Sequence, residues 1–274
     1  MKYHLSACSL VAILLAFAQC KSGLVTMSNG CYDLINQGQA QNKSGNFTAA
    51  LANFNTVIQK CDAYDAKEKG YAGKAAALNG MLQYNDALDA ANKGLAVNKS
   101  SLDNLFERAN AELGLGRNVD AKADLSTIIL LTGKNQNKAQ RATIYSKMAE
   151  VDLRQQQYDQ ALQNIQQAIS IDNSNLQFYM QQGDINVATG NYPAAIGNYD
   201  DAIAKGKNDA EAWKAKTTAI IRMYQKKYKT DDAGVLGKKI DAADRQTLCN
   251  SINTSKQNGV RDMAIDLVQL SVCK

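Results

Sequence analysis

Few residues in this chain could do covalent or acid–base chemistry. It has six cysteines (Cys8, Cys20, Cys31, Cys61, Cys249 and Cys273), one histidine (His4), and neighbouring carboxylates at Asp200–Asp201 and Asp231–Asp232. No two cysteines have the C-x-x-C spacing of a redox dithiol or a zinc site. Paired carboxylates do acid–base work on a glycoside when they face each other across a cleft. Acids adjacent in sequence on a helix or loop are ordinarily solvated. His4 lies in a segment that reads as a removable leader, which leaves the mature chain without an imidazole. That excludes Ser-His-Asp and Cys-His catalysis and His-ligated zinc, and it removes the commonest general base near neutral pH. The expectation is a protein that is not an enzyme, with no catalytic residues, no cofactor and no metal.

The elements that would position any site begin after that leader. Lys2 supplies a positive start, and Leu10 to Phe17 is an apolar run too short to span a bilayer comfortably. Ala16-Phe17-Ala18 then matches a small-x-small cleavage site. Cleavage there would leave Gln19 as the first residue. A rival reading lipidates Cys20, which would tether the protein to a membrane. The chain as a whole has one proline, abundant alanine and 45% hydrophobic residues, a composition that favours long unkinked helices. Its 31 basic and 26 acidic residues are dispersed, and the net charge of +5 does not point to nucleic acid.

An internal repeat organises most of the chain. An aromatic-x-x-Ala pattern reads Phe47–Ala50, Tyr84–Ala87, Tyr158–Ala161 and Tyr192–Ala195, with a fifth copy, Asn118–Ala121, lacking the aromatic. The alanines are separated by 37, 34, 40 and 34 residues. A second marker, a large residue early in the preceding helix, reads Leu34, Tyr71, Leu105, Tyr145, Tyr179 and Trp213, with spacings of 37, 34, 40, 34 and 34. Two independent markers therefore carry the same insertions at the same places. Four residues after each large residue stands a small one, Gly38, Ala75, Ala109, Ala149, Gly183 and Thr217. Four after each alanine stands Phe54, Ala91, Leu125, Ile165 or Tyr199, on the same helical face. Gly45, Gly116 and Gly190 fall where a tight turn joins the two helices.

On these positions residues 31–230 resemble the tetratricopeptide-repeat (TPR) family, of the exported bacterial type. The resemblance implies an all-α superhelical solenoid of about five repeats plus a sixth helix A. The proline that such repeats often carry after helix B is replaced by residues such as Asp62, Lys99 and Asn173, so softer inter-repeat turns are expected. The large markers are expected in the core rather than as a ligand ladder, because a hairpin cannot bury its apolar face without its neighbours. The six extra residues of the third unit, Gln136 to Arg141, read as a polar loop.

After Trp213 a helix is expected to run to about Tyr228 and to end in a basic cluster, Lys226, Lys227 and Lys229, whose sharper reading is an acidic partner. Thr230 to Lys238 reads as a loop. Ala243–Lys256 and Arg261–Val272 read as a final hairpin that caps the stack. The chain thus divides into a leader (1–18), a linker (19–30), repeats (31–230) and a capping hairpin (231–274). In an antiparallel hairpin Cys31 and Cys61 lie at neighbouring ends, and Cys249 and Cys273 repeat that arrangement. Disulfides Cys31–Cys61 and Cys249–Cys273 are expected, pinning the terminal hairpins in an oxidising compartment.

The resemblance also implies a concave groove lined by helix A, one and five residues after the large marker and further along. Here those positions include Ile35, Gln39, Asn42, Asn79 and Phe106 in the first half, and Asn110, Glu150, Met180, Asp184 and Lys214 beyond it. A partly apolar, amide-rich lining suits an extended peptide or a helix of a partner protein. Relatives that clamp a C-terminal carboxylate place Lys and Asn where this chain has Ile35 and Gln39, so that activity is not implied. The leading expectation is an exported scaffold for protein–protein interaction in the periplasm or at the outer membrane. The alternative is a glycan- or small-ligand-binding envelope protein.

Overall fold

The apolar periodicity resolves into fourteen α-helices in a computed structural model that describes residues 26–133 and 137–273. The chain divides into two compact units, residues 1–111 and 112–274. The first holds α1 (Asn29–Lys43), α2 (Phe47–Lys60), α3 (Tyr64–Gly80), α4 (Tyr84–Val97) and most of α5 (Leu102–Gly114). The second holds α6 (Asn118–Thr132), α7 (Lys138–Arg154), α8 (Tyr158–Ile171), α9 (Leu176–Ala188) and α10 (Tyr192–Ala204). It continues with α11 (Ala210–Tyr228), α12 (Ala233–Lys239), α13 (Ala242–Gln257) and α14 (Met263–Val272). The leader, Cys20 and the start of the linker lie outside the described residues.

One turn geometry recurs before every helix B. Helices α2, α4, α6, α8 and α10 begin at Phe47, Tyr84, Asn118, Tyr158 and Tyr192. Two residues earlier the backbone is left-handed each time, with φ of 78° at Gly45, 61° at Leu82, 74° at Gly116, 58° at Gln156 and 72° at Gly190. Leu82 and Gln156 hold this conformation despite a Cβ penalty of roughly 1 kcal/mol. The packing of the flanking helices therefore sets the turn, and glycine only eases it.

Packing explains the repeated small residues. Ala50, Ala87, Ala121, Ala161 and Ala195 are all fully buried, as are Phe54, Leu125 and Ile165 on the same faces. A Cβ on Gly38 would come within 2.7 Å of the Phe54 ring, and one on Gly183 within 2.4 Å of the Tyr199 ring. Helix A can close on helix B only because these two side chains are absent. Tyr179 is buried, and Tyr145 and Trp213 pack partly buried against the core clusters of the second unit.

Two expectations need correction. The insertion before α7 is not all loop: Lys138 to Arg141 form its first turn, capped by Asn137 accepting from the Gln140 N–H at 3.1 Å. Like α3, α7 runs 17 residues against 13 for α5 and α9, so the added residues lengthen helix A. Two of the proline-free turns carry side-chain hydrogen bonds: Asn98 Oδ1 accepts from the Ser100 N–H, and Asp172 Oδ1 from the Ser174 N–H and hydroxyl. Finally, the stretch read as a loop at 230–238 contains α12. The carboxyl end of the chain is thus three helices, with α12 on α14 and α13 on α11.

Both ends are cross-linked. Cys31 in the first turn of α1 is bonded to Cys61 at the end of α2, with Cα atoms 6.0 Å apart. Cys249 in α13 is bonded to Cys273 after α14, at 5.6 Å. Arg245 reinforces the second link by donating to Val272 O at 3.1 Å and Gly237 O at 2.8 Å, so one guanidinium joins the ends of α12 and α14.

Candidate functional site

Successive helices A line a concave surface in each unit. In the first unit Gln39 and Asn42 of α1, Ala72, Gly73 and Ala76 of α3, and Phe106 of α5 enclose a cavity of about 260 Å³, with Lys69, Asp103 and Glu107 at its walls. Its floor is open because the three lining residues that α3 contributes there are alanine or glycine. Burial pushes the Asp103 carboxyl up, and Glu68 adds to this while Lys69 opposes it.

In the second unit α9 and α11 form a cavity of about 430 Å³. Met180, Asp184 and Val187 stand on one side, Lys214, Thr218 and Arg222 on the other, and Tyr199 of α10 closes the base. The Tyr199 hydroxyl donates to Asp184 Oδ1 at 2.7 Å. Burial raises the Asp184 carboxyl, the tyrosine hydrogen bond opposes the shift, and Glu211 adds to it. Burial and the neighbouring carboxylate in turn keep the hydroxyl protonated far above the usual tyrosine range.

The ten residues assigned to the groove from sequence have different fates. Gln39 and Phe106 face the first cavity, exposed and half-buried. Ile35 is a correction: it is 4% exposed and belongs to the core around Val57 and Cys61. Met180 is 2% exposed and lines the α9–α11 cavity. Asn42 and Asn79 are largely spent on neighbouring helices. Asn42 Nδ2 donates to Gly73 O at 3.0 Å, and Asn79 Nδ2 to Glu107 O at 2.9 Å. Asn110 lies 3.4 Å from Glu107 Oε2. Glu150 is paired with Lys147 and Arg154, and Lys214 with Asp262 of the cap at 2.7 Å. Burial raises the Glu150 carboxyl, but Lys147 and Arg154 outweigh it, so it sits below the usual range.

Sequence reasoning missed Arg222, Lys69 and Asp103. Arg222 had a readable signal, since it lies four residues before Lys226 on the same helical face. The buried carboxylate Asp152 is already engaged, by Lys122 and by Asn164 Nδ2 at 2.7 Å. Among the described residues no group of three or more His, Cys, Asp or Glu could hold a metal ion. Among the same residues no helix is long and apolar enough to cross a membrane.

No family model matches the sequence, and no curated protein does. Solved structures do match the fold. PilF of Pseudomonas aeruginosa superposes with a TM-score of 0.63 at 15% identity, over 88% of this chain and 97% of that one. TTC0263, a thermophilic TPR protein of Thermus thermophilus, gives 0.59 at 15% identity, over 70% and 99%. YrrB, a TPR protein with an unusual peptide-binding site, gives 0.53 at 15% identity, over 79% and 97%. The chain therefore has the all-α tetratricopeptide-repeat fold.

Proposed function

We propose that this protein is an exported, non-catalytic TPR scaffold. It holds a peptide or helix of a partner protein against its helix-A surfaces in the cell envelope. The observation that carries the reading is the first-unit cavity, where an open alanine–glycine floor lies beside the Phe106 ring and the exposed Gln39 amide. A small floor admits backbone, an aromatic edge takes an apolar side chain, and an amide bonds the peptide group. YrrB, with its peptide-binding site, shares the fold and supports the choice of ligand class. Export is supported by the leader and by two disulfides, which persist in oxidising compartments. Lipidation at Cys20 would add a tether to the outer membrane.

A photo-crosslinking side chain at position 106, expressed in the native host, tests the reading. A discrete protein adduct retrieved from the envelope is expected. Adducts absent there but present with glycans on an array would favour the glycan- or small-ligand-binding alternative, for which Phe106 is the aromatic platform. Adducts to cytoplasmic proteins alone would overturn the export.

A further inference from the structure

The basic cluster near the end of α11 is divided by the fold. Lys227 is taken by Asp244 of α13, with Asp241 at 4.0 Å. Arg222 and Lys226, at i and i+4, share one face of α11, and Lys229 follows as its left-handed C-cap with φ of 51°. Together with Tyr192 and Asp231 they line a cavity of about 460 Å³ at the start of α10. Lys226 donates to Gly190 O at 3.1 Å and lies 5.7 Å from the Tyr192 ring centroid. The side chains of Arg222 and Lys229 are exposed and make no hydrogen bond or ion pair among the described residues.

Arg222 also borders two more cavities. One is the α9–α11 cavity described above. The other, about 420 Å³, lies between α11 and α14 and has an apolar wall of Ile221, Ala233, Ile265 and Val268. A free guanidinium fork is thus set between a cationic recess and an apolar one. Such a fork takes a carboxylate through two parallel hydrogen bonds. The second recess also carries Asp231, Asp232 and Asp262. Asp262 is held by Lys214 and by the α14 amides, and Asp232 by the Val235 N–H. Asp231 borders both recesses, so a polyphosphate, charged at every unit, would meet acids along its length, whereas a polypeptide can place one carboxylate on the cations and turn an apolar side chain to the wall.

We propose that this face binds an acidic segment of a partner polypeptide, with a carboxylate on Arg222 and Lys229 and an adjacent aliphatic side chain in the recess against α14. The inference names the chemistry of the ligand and rests on the groove reading above.

Fluorescence anisotropy with three labelled decapeptides tests it on the full chain, one alternating Glu and Leu, one Lys and Leu, and one Glu and Gly. The Glu–Leu probe is expected to bind more tightly than the Glu–Gly probe, and to bind more weakly as salt rises. R222Q should weaken it about tenfold, and R222Q with K229Q further. R222K should restore part of the loss, because charge remains without the fork. K238Q makes the same charge change at an exposed lysine elsewhere and should have no effect. Circular dichroism checks that each variant stays helical. Equal binding of the Lys–Leu probe, indifference to R222Q, competition by single-stranded oligothymidine, or no binding of any probe would each overturn the proposal. If position 106 still crosslinks to an envelope protein in those cases, the groove reading survives and only this ligand assignment fails.

Discussion

Set the groove of the first unit beside that of the second. Both descend from the same repeat positions, and in each unit a glycine on helix A allows a helix-B ring to approach, Phe54 at Gly38 and Tyr199 at Gly183. Beyond that shared packing they diverge. Five residues after the large marker the first unit carries Gln39, Ala76 and Asn110, all neutral, while the second carries Glu150, Asp184 and Thr218. The first surface is small and open, with a single aromatic edge. The second is charged, and its acids are compensated by Lys147, Arg154 and the Tyr199 hydroxyl. The helix-B alanine is thus constant in every repeat, whereas the buried position four residues on ranges from Ala91 to Tyr199 and the groove positions change in charge as well.

The strongest test of the shared packing is Phe54→Ala. The ring is fully buried and touches residues of α1 and α3, so its removal leaves a cavity between three helices. A loss of about 4 kcal/mol is expected in urea unfolding followed by circular dichroism. Hydrogen exchange should show amide protection falling in α1, α2 and α3. A loss under about 1 kcal/mol would mean that the ring is not the keystone of its hairpin.

Next in size are the disulfides. They enclose separations of 30 and 24 residues. The chain-entropy model then gives each about 3–4 kcal/mol. Paired Cys→Ala variants should lose similar global stability. Local fraying should differ, because Arg245 still ties the ends of α12 and α14 when Cys249–Cys273 is gone. The expected outcome is lost exchange protection in α1 after removal of Cys31–Cys61, against retained protection in α14 after removal of Cys249–Cys273. Equal fraying at both ends would show that the arginine contributes little.

These cases also show what could be read in advance. The repeat frame was legible because the helix-B alanine is a fully buried close-contact position in every copy, where a larger side chain would not fit. The cysteine pairing followed from that frame. Helix α12 was hidden because its seven residues include Gly234 and Gly237, which disfavour helix locally. Gly237 is there for tertiary reasons: a Cβ on it would meet Ser271 O at 2.3 Å. The first turn of α7 was hidden by polar composition, although Asn137 offered a cap. Among groove residues the pattern could place Asn42 and Asn79 on the correct helices. It could not tell whether each amide would turn to a ligand or to the next helix, since both directions suit the same residue type. Ile35 failed for a related reason: an apolar side chain beside a groove gains by turning into the core.

A smaller effect separates the two rings. Tyr199→Phe removes the hydroxyl bond to Asp184 and should cost about 1 kcal/mol in the same assay. The reciprocal change, Phe54→Tyr, places a hydroxyl on the side of the hairpin where Gln39 occupies the position equivalent to Asp184. It should cost less than about 1 kcal/mol if the two sites are equivalent, because an amide oxygen accepts that bond. A cost above about 2 kcal/mol would show that Gly38 and Gly73 pack the Phe54 ring too closely for the analogy to hold.

The smallest effect exposes the difference in charge. Glu150 has its carboxyl held below the ordinary glutamate value by Lys147 and Arg154, against the opposing pull of burial. A depressed folded value means the pairing stabilises the protein fully above the ordinary value of about 4.3 and is lost as pH falls through the lower folded value. Because Glu150 is half-buried and both cations are partly solvated, the contribution is modest. Thermal unfolding at neutral pH should place Glu150→Gln roughly 2 °C below the unsubstituted chain. That gap should shrink as the pH is lowered beneath the glutamate range, because the carboxylate then no longer exists in either state. The corresponding position of the first unit offers a control: Gln39→Ala should show no such dependence, since Gln39 has no proton to gain. A gap for Glu150→Gln that stays constant into acid would mean that the side chain acts by packing, and the contrast between the units would then lie in shape alone.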